Sequence, residues 1–425
     1  MSFPTLTVYK DLIARFPSWT ELCGYLKGPE CRLRVEDASS PESPYALIRY
    51  VKGDSVFANP VVRAFRSVVW DTLAHRPVSV TSWKSADGES LPDGPLSTDY
   101  SVEMFPDGTL IGMYWDTHAE QWRIHTRSVM DARCRYYSQT RTFADMFTEA
   151  TRGLDLSILD RSVSYSWVLT HPENRIVCDA PVARAVIVDT CRIASDGAVT
   201  WERAPRYGVS PVTGISATAD ALRTRLAEWN TRFRHNCQGI VVKNAHGHRW
   251  KIRTPEYNRV RGLRGNSPRL DFLYLKHWKG ETLRDYLRVY PEERGVADSV
   301  VNRWKTATSD IYRVYCDVFK AHSLDKSLIP PKYRPHVYGL HTLYRDTLKP
   351  AGKKVDWKTC LEYMNTKDVP QMLFVINWEL RAAARALHVP VIPFEPPTTV
   401  TTALADTETA PAVEPEAEVP TPATA

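Results

Sequence analysis

The 425-residue chain predicts an α+β protein in three parts: a strand-rich part over residues 1–261, an all-helical part over 262–395 and a disordered tail over 396–425. Three observations carry this reading. Short runs rich in β-branched and aromatic residues crowd residues 45–260 without alternating regularly with helices, which argues against a doubly wound sheet and for antiparallel sheets. After residue 262 apolar residues recur at spacings of three and four, the period of amphipathic helices. Beyond residue 395 the chain is Pro, Thr, Ala and Glu, a composition that buries too little apolar surface to offset the entropy of ordering.

In chain order, the runs "YALIRYV", "FRSVVWD", "RPVSVTSW", "GTLIGMYWD", "QWRIHTRS", "SYSWVLT", "RAVIVDTCRI", "GIVVKN" and "HRWKIRT" read as strands. Helices are expected near 142–153 and 216–233. Between two apolar runs, Pro106-Asp107-Gly108 is turn chemistry suited to a hairpin. In the last part, Val296, Val300, Trp304, Ala307, Ile311, Val314 and Val318 mark one face of a helix over 296–319. A second helix over 369–388 has Asp368 as N-cap and Pro370 in its first turn.

Composition narrows the function. The net charge is +6, but residues 396–425 hold five acids and no Lys or Arg, so the rest of the chain carries +11. A basic body fits a polyanionic partner. No apolar run is long enough to span a bilayer, and the N-terminus lacks the basic and apolar stretches of a secretory signal, so no membrane partner and a cytoplasmic location are expected. Eight scattered cysteines form no CxxC pair, and His246 and His248 flank Gly247 as in a turn, so no metal site is indicated.

Four segments stand out. They are "VVRAFRSVVWDTLAHRPVSV" (61–80), "MFPDGTLIGMYWD" (104–116), "WVLTHPENRIV" (167–177) and "CQGIVVKNAHGHRWKIRTPEY" (237–257). In this order and spacing they resemble the motifs of the phage-type ATP-dependent RNA ligases, within the covalent nucleotidyltransferase superfamily. The resemblance spans roughly residues 5–390. It implies a nucleotidyltransferase domain followed by a helical C-terminal domain. It also implies chemistry in which a lysine attacks ATP, the AMP passes to an RNA 5′-phosphate, and carboxylates hold ribose and metal.

Position by position, that chemistry is missing. The lysine of the family's K-x-D-G falls on Phe105, a carboxylate before P-x-N-R falls on Val168, and the acid before the next glycine falls on Gln238. The phosphate-neutralising positions remain, as Arg66, Arg127, Lys251 and Arg253, with Tyr257 also in place. Arg259, Arg261, Arg264 and Arg269 extend the basic run, with Trp250 and Tyr257 interleaved for base stacking. Lys84, before Asp87-Gly88, is an alternative nucleophile, but its spacing is one residue too long and would turn the side chain to the opposite strand face.

The expected function is therefore a catalytically degenerate RNA-ligase-like protein, with no catalytic residue, that binds single-stranded RNA or nucleotide or serves as a platform for a protein partner. Two alternatives stay open: an active ATP-dependent RNA ligase with a displaced nucleophile, which alone would need ATP and Mg²⁺, and a viral or phage assembly protein built on the ligase fold, working in the host cytoplasm.

Overall fold

The computed structural model describes residues 5–386 other than 38, 41–42, 92–99, 203–206, 210, 213–217 and 245–247. The acidic tail and His246 lie outside the described residues. The chain divides into two compact units, Met1–Ile376 and Asn377–Ala425.

The first unit is α+β. Its strands are β1 (Thr5–Leu6), β2 (Arg34–Asp37), β3 (Tyr45–Arg49), β4 (Val68–Asp71), β5 (Arg76–Val80), β6 (Ala86–Asp87), β7 (Tyr100–Met104), β8 (Thr109–Asp116), β9 (Gln121–Thr126), β10 (Val163–Thr170), β11 (Arg184–Ile193), β12 (Val199–Glu202), β13 (Gly239–Asn244) and β14 (Arg249–Arg253). Among the described residues they form three sheets, ordered β1-β12-β11-β10-β8-β9, β6-β14-β13-β7 and β2-β3-β4-β5. Pairing is antiparallel throughout except between β14 and β6.

The Pro106-Asp107-Gly108 turn is not a hairpin. The strand before it, β7, pairs with β13, whereas the strand after it, β8, pairs with β9 and β10. The turn is a crossover that carries the chain from one sheet to another. Turn residues fix a local reversal but not which neighbours the flanking strands find.

Helices α1 (Val8–Arg15) and α2 (Trp19–Lys27) place Tyr9, Leu12, Leu22 and Leu26 against Ile48, Val68 and Trp70. A short helix, α3 (Pro60–Ala64), leads into β4. The fourth, α4 (Phe143–Thr151), starts with a capping box between Thr142 and Asp145. Its Phe143, Met146 and Phe147, one face of a helix, pack on Ile111, Met113, Tyr165 and Trp167 of the six-stranded sheet. Helix α5 (Ala219–Phe233) covers one face of the β6-β14-β13-β7 sheet, packing Leu222 and Leu226 on Ile240 and Val242.

After β14 the unit is helical: α6 (Pro255–Arg264), α7 (Leu270–Lys279), α8 (Leu283–Val289), α9 (Arg294–Phe319), α10 (Arg334–Leu343), α11 (Trp357–Asn365) and α12 (Val369–Ile376). They share one core, which also takes in Val177 from the strand-rich region. In α9 the buried face runs Val300, Trp304, Ala307, Ile311, Val314, Val318, while Val296 is 59% exposed in the first turn. Asp368 caps α12, accepting from Gln371 N at 2.8 Å. The single helix expected over 369–388 ends at Ile376, and α13 (Trp378–Ala386) belongs to the second unit. No helix among the described residues is long and apolar enough to cross a membrane. All eight cysteines are free.

His125 of β9 ties two sheets together. Its Nδ1–H donates to Thr126 O at 2.9 Å, and its Nε2 accepts from Ser79 Oγ of β5 at 2.9 Å. Ser164 of β10 lies 3.2 Å from Ser79 Oγ and accepts from Val80 N. Burial pushes the His125 pKa down to about 4, so the ring is neutral at pH 7. The unfolded chain takes up this proton below pH ~6.5 and the folded one only near 4. Stability from this residue is therefore complete above pH ~6.5 and falls by about 3 kcal/mol as pH drops towards 4. Urea unfolding of wild type and His125→Gln across that range should show the flatter profile in the variant; parallel profiles would contradict this assignment.

Candidate functional site: a cationic cavity between two sheets

Strand alternation builds the site. On β13, Ile240 and Val242 face α5, so Val241 and Lys243 face the other way. On β14, Trp250 and Ile252 pack towards the α5 core, so Arg249, Lys251 and Arg253 share the opposite face. Across from them, Ile111 of β8 and Trp167 and Leu169 of β10 pack towards α4, leaving Leu110 and Val168 on the other side. These two helix-free faces enclose a cavity of about 530 Å³. That is the size of an ordinary small-ligand site.

The crossover turn forms its floor. Phe105 N extends the β7–β13 pairing by donating to Gly239 O at 3.0 Å. Asp107 is fixed from three sides: its carboxylate accepts from Val177 N at 2.8 Å, Cys178 N at 2.9 Å and Tyr257 Oη at 2.7 Å. Thr170 Oγ1 donates to its backbone oxygen. Two glycines permit this approach. A Cβ on Gly108 would lie 2.3 Å from Leu169 O, and one on Gly239 would lie 1.9 Å from Ile252 O.

Of the residues singled out in the sequence, Arg66, Phe105, Arg127, Val168, Gln238, Arg253, Tyr257 and Arg261 all line this cavity. Others do not. Lys84 sits with Nζ 4.7 Å from the Phe57 ring centroid, away from the cavity. Lys251 is not among the lining residues, although Arg249 and Arg253 on its strand face are. Arg259 is paired with Glu256 at 2.7 Å on an exposed surface. Arg264 is buried and structural: it pairs with Glu293, bonds Tyr286 Oη, donates to Arg175 O, and lies 4.0 Å from the Tyr137 ring centroid. Arg175 of the P-x-N-R element is structural too, paired with Asp179 and with Glu292.

Phe105 and Gln238 both meet Arg253, and Val168 packs on the crossover turn. The Arg253 guanidinium lies over the Phe105 ring, 5.5 Å from its centroid. With its amide oriented to satisfy both ends, Gln238 donates to Pro106 O at 3.0 Å and accepts from Arg253 Nε at 3.3 Å. Val168 Cγ1 packs against Gly108.

A buried charge network escaped the sequence reading. Lys243 Nζ contacts Glu103 and Asp189, both at 2.7 Å, and Val188 O at 2.5 Å. Arg249 pairs with Asp189 at 2.9 Å, and Ser82 Oγ donates to the same carboxylate. Burial pushes the Asp189 carboxyl up, but Lys243 and Arg249 outweigh it and the net shift is downward. The signal was present: an acid inside "RAVIVDTCRI" and a lysine inside "GIVVKN" are charges in apolar strands, which need partners.

Seven cations line the cavity among the described residues (Arg66, Arg127, Arg135, Lys243, Arg249, Arg253, Arg261), against two carboxylates, Glu103 and Asp107. Burial, with Arg249 and Arg127 nearby, pushes the Arg66 pKa down to about 10, still cationic at pH 7. The Nε groups of Arg127 and Arg249 are buried without an acceptor among the described residues. Unmet guanidinium donors in a cationic cavity fit phosphate oxygens. A divalent cation fits poorly: Glu103 is engaged by Lys243, Asp107 by Tyr257 and two amides, and the positions at 168 and 238 are uncharged. No group of three His, Cys, Asp or Glu side chains suited to a metal stands among the described residues.

No protein-family model and no curated protein matches the chain. Several similar solved structures are ligases. A putative ATP-dependent DNA ligase from Aquifex aeolicus is 12% identical with a TM-score of 0.35, over 83% of this chain and 77% of that one. An archaeal ATP-dependent RNA ligase is 10% identical with a TM-score of 0.36, over 71% and 82%. An RNA ligase from Naegleria gruberi is 14% identical with a TM-score of 0.29, over 42% and 57%.

Gln238→Glu should destabilise the fold by about 1–3 kcal/mol, because a carboxylate cannot donate to Pro106 O. Denaturant unfolding measures it. A variant as stable as wild type would show that the amide donor is not needed.

Proposed function

We propose that this chain is an RNA-ligase-like protein that has lost nucleotidyl transfer and keeps the cavity as a site for a phosphate-bearing ligand, a nucleotide or an RNA end, with the helices after residue 262 as its C-terminal domain. One observation carries the reading. Among the described residues lining the cavity, Lys243 is the sole lysine, and all three of its N–H donors are taken by Glu103, Asp189 and Val188 O. A nucleophilic amine needs a free lone pair. The residue at the expected nucleophile position, Phe105, has none.

The division of labour follows from the side chains. Arg66, Arg127 and Arg249, which line the cavity, would hold phosphate oxygens through their guanidinium groups. Tyr136 and Tyr137, packed edge to face at 4.8 Å, and the Phe105 ring offer flat apolar surface for a base or sugar. Arg253 is drawn back over Phe105 and Gln238. With no carboxylate free for a metal, no bond-making step is assigned to these residues.

Intact-mass measurement after incubation with ATP and Mg²⁺ or Mn²⁺ is expected to show unmodified protein. An AMP adduct on any lysine would overturn the reading, and an adduct on Lys84 would support the displaced-nucleophile alternative. Phe105→Lys alone is expected not to seal RNA, since positions 168 and 238 still lack carboxylates. Robust sealing by that single variant would show that those two positions are wrongly assigned.

A further inference from the structure

A second surface, away from the cavity, also suits a polyanion. Trp357 opens α11 directly after its N-cap, Asp356, and is 43% exposed. It is not a loose side chain: its ring packs edge to face on Tyr312 of α9, with centroids 5.6 Å apart. Tyr312 is itself held by Lys320, whose Nζ lies 3.4 Å from the phenol oxygen. One turn along α11, Leu361 is 39% exposed and widens the flat apolar surface.

Lysines flank Trp357 in the sequence. Between residues 349 and 358 stand Lys349, Lys353, Lys354 and Lys358, all exposed, against one acid, Asp356. The Asp356 carboxylate is occupied by Thr359 N and Oγ1. None of the four lysines forms an ion pair among the described residues. The loop presenting them is shaped by its backbone: Lys349 N donates to Tyr344 O, Lys353 N donates to Leu348 O, and Gly352 takes a φ of +67°.

We infer that Trp357 and its lysines form a contact surface for single-stranded nucleic acid, with one unpaired base stacked on the indole and neighbouring phosphates on the ammonium groups. Charge and shape select this occupant. Lysine is a point charge that neutralises phosphate without demanding a geometry, and an indole stacks on any base, so binding would be tolerant of sequence. An acidic peptide would satisfy the charge but leave the ring without a flat partner. A lipid surface would want a broader apolar face than one Trp and one Leu. None of these residues lines the cavity, so the surface and the cavity stand or fall separately.

Fluorescence anisotropy with short labelled RNA and DNA oligonucleotides, across a salt series, tests the inference on the full chain. Trp357→Ala should weaken binding roughly five-fold or more, the lower end of base–aromatic stacking. Lys353→Ala with Lys354→Ala, both on exposed positions, should reduce the log–log salt slope by roughly 1.4, or about 0.7 for each phosphate no longer neutralised. Arg127→Ala, a cavity variant, should leave the Trp357-dependent part of the affinity intact. Wild-type affinity and salt slope in both surface variants would overturn the inference. So would loss of binding to anionic phospholipid vesicles on Trp357→Ala with oligonucleotide binding unchanged, which would assign the surface to lipid.

Discussion

One carboxylate holds the cavity in place. Asp107 sits where the chain crosses between two sheets, and it accepts hydrogen bonds from the Asn174–Cys178 segment and from Tyr257 at the start of α6. Three stretches far apart in sequence therefore meet at one side chain. A half-buried carboxylate in such a position is best tolerated when its oxygens are met by donors, as here. Burial of Tyr257, with the Asp107 charge beside it, raises its hydroxyl pKa, which keeps that hydroxyl a donor. Beyond it, Arg175 and Arg264 join the same segment to Glu292 and Glu293 at the start of α9. The cavity wall and the helical region are thus held by one connected set of polar contacts. These contacts account for Arg264, which the sequence places in a basic run, and for Arg175 of the P-x-N-R element.

Around this anchor, Phe105, Gln238 and Val168 pack against Arg253 and the crossover turn. A phenyl ring at 105 gives Arg253 a face to lie on, and an amide at 238 bridges Arg253 to Pro106 O. Val168 fills the space beside Gly108. Cations are treated differently along the wall. Lys243 and Arg249 share Asp189, while Arg66 and Arg127 line the cavity with no carboxylate partner among the described residues. Seven cations stand against two carboxylates along this wall among the described residues.

Much of this was legible in the sequence, for physical reasons that differ by element. The strands showed because buried β-strands need β-branched and aromatic residues, and α9 showed because its apolar stripe repeats with the helix period. The convergence of residues 66, 105, 127, 168, 238, 253 and 257 was legible only through motif order, since strand periodicity says which face a residue takes but not which sheet it joins. That is why the Pro-Asp-Gly turn reads as a hairpin and folds as a crossover. Runs of arginine were misleading for a related reason: Arg259, Arg261 and Arg264 look alike in sequence, yet one is ion-paired at the surface, one lines the cavity and one is buried. The Lys243–Asp189 pair joins residues from two different sheets, and no local pattern announces such a partner.

The central claim is that the cavity still binds phosphate although it cannot react with it. Isothermal titration of ATP, without added metal, into wild-type protein and into Arg127→Ala and Arg249→Ala tests this directly. The account predicts saturable one-to-one binding to wild type, weakened by roughly ten-fold or more in each variant as a charge-assisted hydrogen bond to phosphate is removed. No saturable heat with wild type, or equal affinity in all three proteins, would contradict it.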